Sequence, residues 1–344
     1  MHFISYFNRT HSIIDGTWQI YSVIFIFQTF LIAFSILYIT ITAYIIVKAK
    51  NYHHNLQRIY TFYALQYIFA LCVWLYQRIV IMTGDMDDQK PTRHIPFYLA
   101  SQFRTSALFI AISILPALVI ERCFATYYLE DYERRKRSFI SSCTILGLCI
   151  IGILASVTFH SNRTTLYHIG IFLFVNMAAV IANDYIYRLN NRYFYECNSN
   201  QIDYKEYSLG ERYQISENIK TSRMFKQIIL SISFFNSLCI VCLASDNFII
   251  PLSYQNFAVI LLDFSILLYG FIVPIVSYRN SDKWPPVLHK LLRKLFCQTR
   301  RYSISPEGIS LPPIRINNTF GRNMMLSQDA QTTEYFKYLQ KMWK

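Results

Sequence analysis

The chain has 344 residues, of which 53% are hydrophobic, 17% are aromatic and only 15% are charged. A soluble globular domain carries more charge than this, so the composition excludes an ordinary soluble protein and favours a membrane protein. The formal net charge of +13 lies in blocks between apolar runs rather than over one folded surface, which argues against a nucleic-acid partner.

Seven apolar windows follow one another along the chain, each long enough to cross the roughly 30 Å hydrocarbon core of a bilayer. Because a backbone inside a bilayer must satisfy its own hydrogen bonds, each window predicts a helix. The predicted fold is an all-α membrane protein, in which residues 1–20 form an extracellular N-terminus and residues 21–278 form a seven-transmembrane-helix bundle. The predicted spans are 21–47, 59–83, 98–120, 139–159, 168–187, 228–250 and 257–278.

The Lys and Arg residues fall unequally on the two sides of these spans. Segments 48–58, 121–138 and 188–227 hold 15 of them, and the tail from residue 279 holds 12 more, whereas the segments on the other side hold 4. Loops rich in Lys and Arg stay in the cytoplasm. The sequence therefore predicts a multi-pass protein of the plasma membrane, with its N-terminus outside and its C-terminus inside.

Several modification sites follow from this orientation. Sequons at Asn8 and Asn162 lie on the predicted outer side and are candidate N-glycosylation sites. None of the eight cysteines falls in a segment predicted to be outside, so no disulfide framework is expected.

A basic amphipathic helix is predicted for the juxtamembrane segment 279–297. Apolar side chains recur there at helical spacing with Lys, Arg and His opposite, a pattern typical of a helix lying on the membrane surface. Cys297 at its end is a candidate palmitoylation site. Residues 298–344 show no apolar period and are predicted to form a mostly disordered cytoplasmic tail.

Charged residues inside apolar spans are costly in a bilayer and therefore indicate functional positions. Arg78 and Arg104 lie near the outer ends of the second and third spans, and Asp246 and Asp263 lie in the outer parts of the sixth and seventh. Together with Tyr269 they are predicted to line a ligand pocket. The alternative is that the two arginines reach the interface and that the acidic residues pair with them for structural reasons only.

The third span ends at an acid-arginine pair, Glu121 and Arg122, which is followed by a basic cluster. An inward-facing Arg122, paired with Glu121 or with Asp184, is suited to hold the cytoplasmic ends of helices together until a ligand favours their separation. An interfacial arginine at a helix end is the alternative. Pro116 and Pro274 lie within the third and seventh spans, where the missing backbone hydrogen bond permits a kink.

Motifs of the common enzyme classes do not occur in the sequence. There is no HExxH, no GxSxG, no P-loop and no glycine-rich dinucleotide turn, and only 9 of the residues are glycine. We therefore expect no enzymatic activity, no cofactor and no metal site.

Two motifs resemble those of one receptor family. The segment ERCFAT at 121–126, with DYE at 131–133, resembles the ERxxAT and DYE signature of the nematode serpentine chemoreceptors of class epsilon, the Sre family within the Sra superfamily. The segment ERYQISENI at 211–219 is similar to the RYQxxEN sequence that this family carries before its sixth span. Both motifs stand at the matching places among the seven spans, so the resemblance covers most of the chain.

The resemblance implies a seven-transmembrane G-protein-coupled receptor in the cilia of sensory neurons. Its implied partners are a heterotrimeric G protein, a small-molecule or peptide chemical cue, and the membrane lipids. The end of the seventh span, FIVPIVSYR, lacks the Asn of the NPxxY motif, so activation details of rhodopsin-like receptors are not expected to transfer. The positions implied to couple or switch are Glu121, Arg122, Asp131, Tyr132, Arg212 and Tyr213.

Two other functions are compatible with seven spans. A ligand-gated channel of the insect odorant-receptor kind has the opposite orientation, so glycosylation of Asn8 would separate it from a G-protein-coupled receptor. A small-solute transporter would move its substrate without a G protein.

Overall fold

The structure is a computed structural model, and it describes residues 7–49, 52–84, 94–130, 132, 137–161, 165–198, 209–244, 251–281 and 283–296. Within these ranges the chain forms helices and no strand. The helices are α1 (Arg9–Ile14), α2 (Trp18–Ala49), α3 (His54–Thr83), α4 (Ile95–Ile112), α5 (Ile114–Tyr127), α6 (Ser138–Ser161), α7 (Thr165–Asn198), α8 (Leu209–Ala244), α9 (Leu252–Arg279) and α10 (Trp284–Phe296).

Six helices of the described ranges are long and apolar enough to cross a membrane, namely α2, α3, α4, α6, α7 and α9. They correspond to the first five predicted spans and the seventh. The predicted sixth span, 228–250, begins inside α8, and its last residues, 245–250, lie outside the described ranges. The helical membrane fold expected from the apolar windows is thus confirmed.

The third predicted span, 98–120, is divided rather than continuous. Helix α4 ends at Ile112 and α5 begins at Ile114. Pro116 has no backbone N–H, so the carbonyl of Ile112, four residues earlier, cannot receive its helical hydrogen bond. Pro274 has a smaller effect, because α9 continues through it.

The helices pack side by side as a bundle with two ends. Helix α3 packs against α2, α4, α5 and α6, while α9 packs against α2 and α8. We call the end at which α2 begins the N-terminal face, and the end at which α9 ends the C-terminal face. Helices α7 and α8 pack side by side and extend beyond their predicted spans toward the C-terminal face.

A tyrosine of α3 reaches α9 in the middle of the bundle. The Tyr67 hydroxyl donates to the carbonyl of Ile266 at 2.9 Å. A Cβ atom placed on Gly270 would lie 2.6 Å from Cζ of Tyr67, so a larger residue at this position must displace the Tyr67 ring. The glycine therefore makes room for the side chain that links α3 to α9.

The N-terminal segment folds back over the N-terminal face. The Asn8 side chain caps α1 by accepting a hydrogen bond from the backbone N–H of His11 at 2.9 Å. The Asn8 backbone N–H in turn donates to Oδ1 of Asn256 on α9 at 2.8 Å. Phe7 has no exposed surface and packs against Phe25, with ring centroids 4.8 Å apart.

Helix α10 packs its apolar side against the core at the C-terminal face. Trp284 is 3% exposed, and Val287 and Leu288 pack against the same hydrophobic cluster. The helix coincides with most of the amphipathic segment predicted from the sequence. Cys297 and the tail 298–344 lie outside the described residues, so their predicted palmitoylation and disorder stay predictions.

Candidate functional site

Near the C-terminal face, α5 buries an ion pair between two neighbouring residues, Glu121 and Arg122. Neither residue has any exposed surface. The Nε and Nη2 atoms of Arg122 donate to the two carboxylate oxygens of Glu121 at 2.5 and 2.7 Å. This bidentate geometry balances both charges inside the bundle.

The segment after α5 returns Tyr132 onto this pair. Its hydroxyl donates to Oε1 of Glu121 at 2.5 Å, and Nδ2 of Asn55 on α3 donates to the hydroxyl oxygen at 3.1 Å. Ser141 on α6 donates to Oδ1 of Asn55 at 3.1 Å. Burial and the adjacent negative charge of Glu121 raise the pKa of Tyr132, so the phenol remains a neutral donor.

Further hydrogen bonds extend from Arg122 to α7 and α8. Nη1 of Arg122 donates to Oδ1 of Asn218 on α8 at 3.0 Å, and Gln214, one turn earlier, donates to the same oxygen at 3.0 Å. Nδ2 of Asn218 donates to Oδ1 of Asn190 on α7 at 3.1 Å and to Oγ1 of Thr126 on α5 at 3.2 Å. Arg122 thus connects three helices at this face.

We call this assembly the Glu121 network. It joins α3, α5, α6, α7 and α8 through side chains alone, so relative movement of these helices must break some of its hydrogen bonds. Its members are Asn55, Glu121, Arg122, Thr126, Tyr132, Ser141, Asn190, Gln214 and Asn218.

His53 lies at the edge of the Glu121 network. Its ring centroid is 4.1 Å from that of Tyr132, and its backbone N–H donates to Oε1 of Glu217 on α8 at 3.1 Å. Burial of the imidazole lowers the pKa of His53 to about 4. The ring is therefore neutral at physiological pH.

Asp184, the other partner considered for Arg122, lies elsewhere. Its carboxylate pairs with Arg188 at 2.7 Å and with Lys226 at 2.7 Å, and its side chain is 36% exposed. These ion pairs sit on the surface of α7 and α8. Arg122 therefore pairs with Glu121 and not with Asp184.

The remaining residues implied in coupling are Asp131, Arg212 and Tyr213. Arg212 and Tyr213 are exposed near the start of α8, at the C-terminal face. Asp131 lies outside the described residues. The structure thus brings together three of the six implied positions, Glu121, Arg122 and Tyr132, and places Arg212 and Tyr213 on the exposed surface at the same face.

Toward the N-terminal face, Asp263 of α9 forms ion pairs with Arg78 of α3 and with Arg104 of α4. Asp263 has no exposed surface, and the arginines are 2% and 9% exposed, so neither reaches the interface. Nη1 of Arg104 also donates to Oε1 of Gln77 at 3.3 Å. We call Arg78, Arg104 and Asp263 the arginine cluster.

Aromatic rings enclose the arginine cluster. Cζ of Arg78 lies 4.4 Å from the ring centroid of Phe25, and Cζ of Arg104 lies 4.5 Å from that of Trp74. Cation–π attraction of this kind is strongest where water is excluded. Because Phe7 packs on the Phe25 ring, the N-terminal segment covers this side of the cluster.

A cavity lies beside the arginine cluster, between α3, α4, α8 and α9. The space between its lining side chains, including the part that is open to the surroundings, is about 940 Å³. Arg104 and Trp74 line it, as does Tyr269 farther along α9, while most of the other lining side chains are apolar. Arg78 and Asp263 do not line the cavity but hold Arg104 in place.

Of the five residues predicted for the outer pocket, Arg104 and Tyr269 line this cavity, and Arg78 and Asp263 are joined to Arg104 in the arginine cluster. Asp246 lies outside the described residues, as does the second sequon residue, Asn162.

Sequence reasoning missed several buried amides. Gln214 and Asn218 are four residues apart and so lie on one face of α8, a spacing that identifies a polar helix surface. Asn55 and Asn190 carry no comparable signal, because each is one polar residue in a polar helix end. Gln28 lies in the apolar first span and is fully buried. The sequence could have identified it, because it is a polar residue among apolar ones.

The fold and these clusters define a multi-pass helical membrane protein with a cavity inside the bundle and a closed polar network at one face. The family described as Sre G protein-coupled chemoreceptor matches residues 2–344. The chain therefore belongs to the Sre family of seven-transmembrane G-protein-coupled chemoreceptors.

Individual receptors of Caenorhabditis elegans are similar over most of their length. Serpentine receptor class epsilon-13 is 32% identical over 347 residues, covering 99% of this chain and 96% of that receptor. Serpentine receptor class epsilon-12 is 28% identical, covering 88% of this chain and 86% of that receptor. Serpentine receptor class epsilon-8 is 28% identical, covering 98% and 96%.

Membership of this family confirms the resemblance drawn from the two motifs. The protein is a chemosensory G-protein-coupled receptor, which implies coupling to a G protein and a chemical ligand. The family is one of receptors and not of enzymes. The channel and transporter alternatives are not favoured.

Proposed function

We propose that the receptor lies in the plasma membrane of sensory cilia with its N-terminal face outside, where the cavity and the arginine cluster receive a small-molecule or peptide cue. The Glu121 network then forms the inner lock. Binding of the cue favours separation of the helices at the C-terminal face, where a heterotrimeric G protein couples. The observation that carries this proposal is the fully buried Arg122, which joins α5 to α8 next to that face.

The charge distribution supports the orientation. Segments 48–58, 121–138 and 188–227, which adjoin the C-terminal face, hold 15 Lys and Arg residues, against 4 for the segments at the other face. Asn8, the half-buried residue that caps α1, then lies outside, as does α1 itself.

Epitope accessibility tests the orientation. A tag before Met1 should bind antibody on intact cells, whereas a tag after Lys344 should bind only after permeabilisation. If Asn8 carries a glycan, Asn8→Gln should increase gel mobility, while Asn317→Gln should not, because its sequon, Asn317-Asn318-Thr319, lies in the predicted inner tail. Antibody binding to the C-terminal tag on intact cells would reverse the orientation.

The surface proposed to bind the G protein consists of residues that are already exposed and of Arg122, which the proposed movement exposes. Arg212 and Tyr213 are exposed beside the start of α8, and the juxtamembrane helix α10 adds basic side chains at the same face. Arg122 becomes accessible only when its hydrogen bond to Asn218 breaks. Coupling therefore requires the movement that the cue favours.

Basal nucleotide exchange tests the lock without a known ligand. Asn218→Leu removes the acceptor that ties Arg122 to α8 and should raise GTP exchange about tenfold, because a hydrogen bond to a charged group contributes about 1.5–3 kcal/mol. Adding Arg122→Gln should return exchange to the level of membranes without receptor.

Matched controls are available on the same helices. Asn191→Leu, half-buried outside the network, should leave basal exchange unchanged. Arg188→Gln, on a side chain 81% exposed, should not suppress the Asn218→Leu effect. Unchanged exchange in Asn218→Leu would rule out the lock, and persistent exchange in the Asn218→Leu and Arg122→Gln double variant would rule out the coupling role of Arg122.

A further inference from the structure

We infer that the cavity binds an organic carboxylate with an apolar body, whose head group pairs with Arg104 at the edge of the arginine cluster. This inference rests on the proposed function of the cavity as the ligand site. It adds the chemical class of the ligand.

The first observation is an imbalance of charge. Two buried guanidinium groups, those of Arg78 and Arg104, face the single carboxylate of Asp263. In the part of the chain that the structure describes, neither arginine has another acidic partner. An uncompensated positive charge in a region of low dielectric constant is costly, and a bound anion removes that cost.

The second observation is a set of hydrogen-bond donors without acceptors. Nε1 of Trp74, Nε2 of Gln77 and Nε of Arg78 are buried, and none has an acceptor among the described residues. Trp74 is 2% exposed, lines the cavity and lies under Arg104. Buried donors normally have a partner, and Trp74 is the one of these three that lines the cavity, so its indole N–H indicates a ligand that accepts a hydrogen bond.

The sign of the ligand's charge follows from these two observations. Asp263 is already held by two arginines, so it offers a cationic ligand little attraction while the guanidinium groups repel it. A carboxylate carries one negative charge and two acceptor oxygens, which match one surplus positive charge and the bidentate geometry of an arginine. A phosphate dianion would exceed the single surplus charge.

The rest of the cavity selects an apolar body. Between Trp74 and Gln66, two turns apart on α3 and therefore about 12 Å along the helix axis, the wall consists mainly of aliphatic and aromatic side chains. Oε1 of Gln66 is buried without a donor in the described structure. A hydroxyl or amide near the far end of the ligand would satisfy it.

Binding to the purified full-length receptor tests the inference. The receptor is reconstituted in phosphatidylcholine nanodiscs, and its thermal unfolding is followed against hexanoate, octanoate and decanoate, each compared with its primary alcohol. The carboxylates should bind at least about tenfold more tightly than the alcohols of equal length. Equal affinity overturns the inference, and so does an absence of stabilisation both by these carboxylates and by a fatty acid in the bilayer.

Variants of the cluster locate the head group. Arg104→Gln leaves Asp263 paired with Arg78, so the receptor should still fold, and its preference for carboxylate over alcohol should fall about tenfold. Arg104→Lys should restore part of that preference, and Trp74→Phe, which removes the indole donor but keeps an aromatic ring, should weaken carboxylate binding several-fold. If the preference for carboxylate is unchanged in Arg104→Gln, the head group does not pair with Arg104. If that variant does not fold, the comparison of carboxylates with alcohols in the unaltered receptor decides whether the inference stands.

Two further arms separate the source of the carboxylate. Hexanoate added to the buffer represents a water-soluble external cue, and oleate incorporated in the nanodisc bilayer represents a membrane fatty acid. Stabilisation by either supports the carboxylate class, and the tighter of the two identifies the source. Stabilisation by oleate alone contradicts the proposed role of the cavity in binding an external cue.

The assay does not depend on a G protein, so the two proposals fail separately. If the receptor binds carboxylates but Asn218→Leu does not raise GTP exchange, the ligand class is supported and the inner lock is overturned. If Asn218→Leu raises GTP exchange but the receptor binds no carboxylate, the inner lock is supported and the ligand class is overturned.

Discussion

The two buried charged groups of this receptor differ in how completely they are satisfied. In the Glu121 network, one carboxylate meets one guanidinium group in bidentate geometry, and a phenol and several amides occupy the remaining positions. In the arginine cluster, one carboxylate serves two guanidinium groups, and neighbouring donors have no acceptor among the described residues.

This difference suits the Glu121 network to hold helices together and the arginine cluster to bind a ligand. A network whose charges are balanced and hydrogen-bonded is strongly destabilised by loss of one charged member and gains nothing from an added ion. An unbalanced cluster beside a cavity tolerates loss of its surplus charge and gains from a bound anion. Three predictions test the comparison, from the largest expected effect to the smallest.

Removal of one charge should affect the two groups unequally. Arg122→Gln leaves the buried carboxylate of Glu121 without a cation and should lower the free energy of unfolding by about 3–5 kcal/mol. Arg104→Gln leaves Asp263 paired with Arg78 and should cost about 1 kcal/mol. Denaturant unfolding of the purified receptor measures both.

A double variant provides the control for the inner pair. The combination Glu121→Gln with Arg122→Gln removes both charges and should cost less than Arg122→Gln alone. Equal losses for Arg122→Gln and Arg104→Gln would remove the distinction between a balanced and an unbalanced group.

The hydroxyl of Tyr132 should contribute measurably to the Glu121 network. Tyr132→Phe removes the donor to the carboxylate of Glu121 and leaves Nδ2 of Asn55 without its acceptor, at a cost of about 1–3 kcal/mol. Tyr127→Phe, at a position 80% exposed, should change stability by less than about 0.5 kcal/mol. A Tyr132→Phe variant as stable as the Tyr127→Phe control would show that the hydroxyl is dispensable.

Just below pH 6.5, the smallest predicted effect is the contribution of His53, at the edge of the Glu121 network, to the pH dependence of stability. The pKa of His53 is lowered from 6.5 to about 4 by burial, so below pH 6.5 the unfolded chain binds a proton that the folded chain does not. The stabilisation is complete above pH 6.5 and is lost as the pH falls toward about 4.

Melting temperatures between these pH values test this dependence. His53→Asn should flatten the fall in melting temperature, whereas His289→Asn, at an exposed position of α10, should leave it as in the unaltered receptor. A fall of the same steepness in all three proteins would exclude His53 as its cause.

Much of the fold followed from patterns that lie close together in the chain. Span length and hydropathy predicted the membrane helices, and Pro116 marked the place where the third span divides, because loss of a hydrogen bond four residues away is a local event. The long extensions of α7 and α8 were not predicted, since their polar ends are stabilised by packing against each other rather than by the bilayer.

The candidate site was only partly predictable. A charge in an apolar span marked Arg78, Arg104 and Asp263, because burying an ion is costly wherever it occurs. The sequence did not indicate that one aspartate serves both arginines, or that Glu121 rather than Asp184 holds Arg122. Those pairings depend on how α3, α4 and α9, or α5, α7 and α8, are rotated against one another.

The sequence by itself determined the membrane spans, the asymmetry of basic charge and the family, because hydropathy, charge bias and motif spacing are properties of short stretches of chain. Only the tertiary structure decided which charges are balanced. Balance depends on contacts between helices far apart in sequence, such as Arg104 with Asp263 and Arg122 with Asn218. The contact of the Tyr67 side chain with Gly270 is another such contact, between α3 and α9.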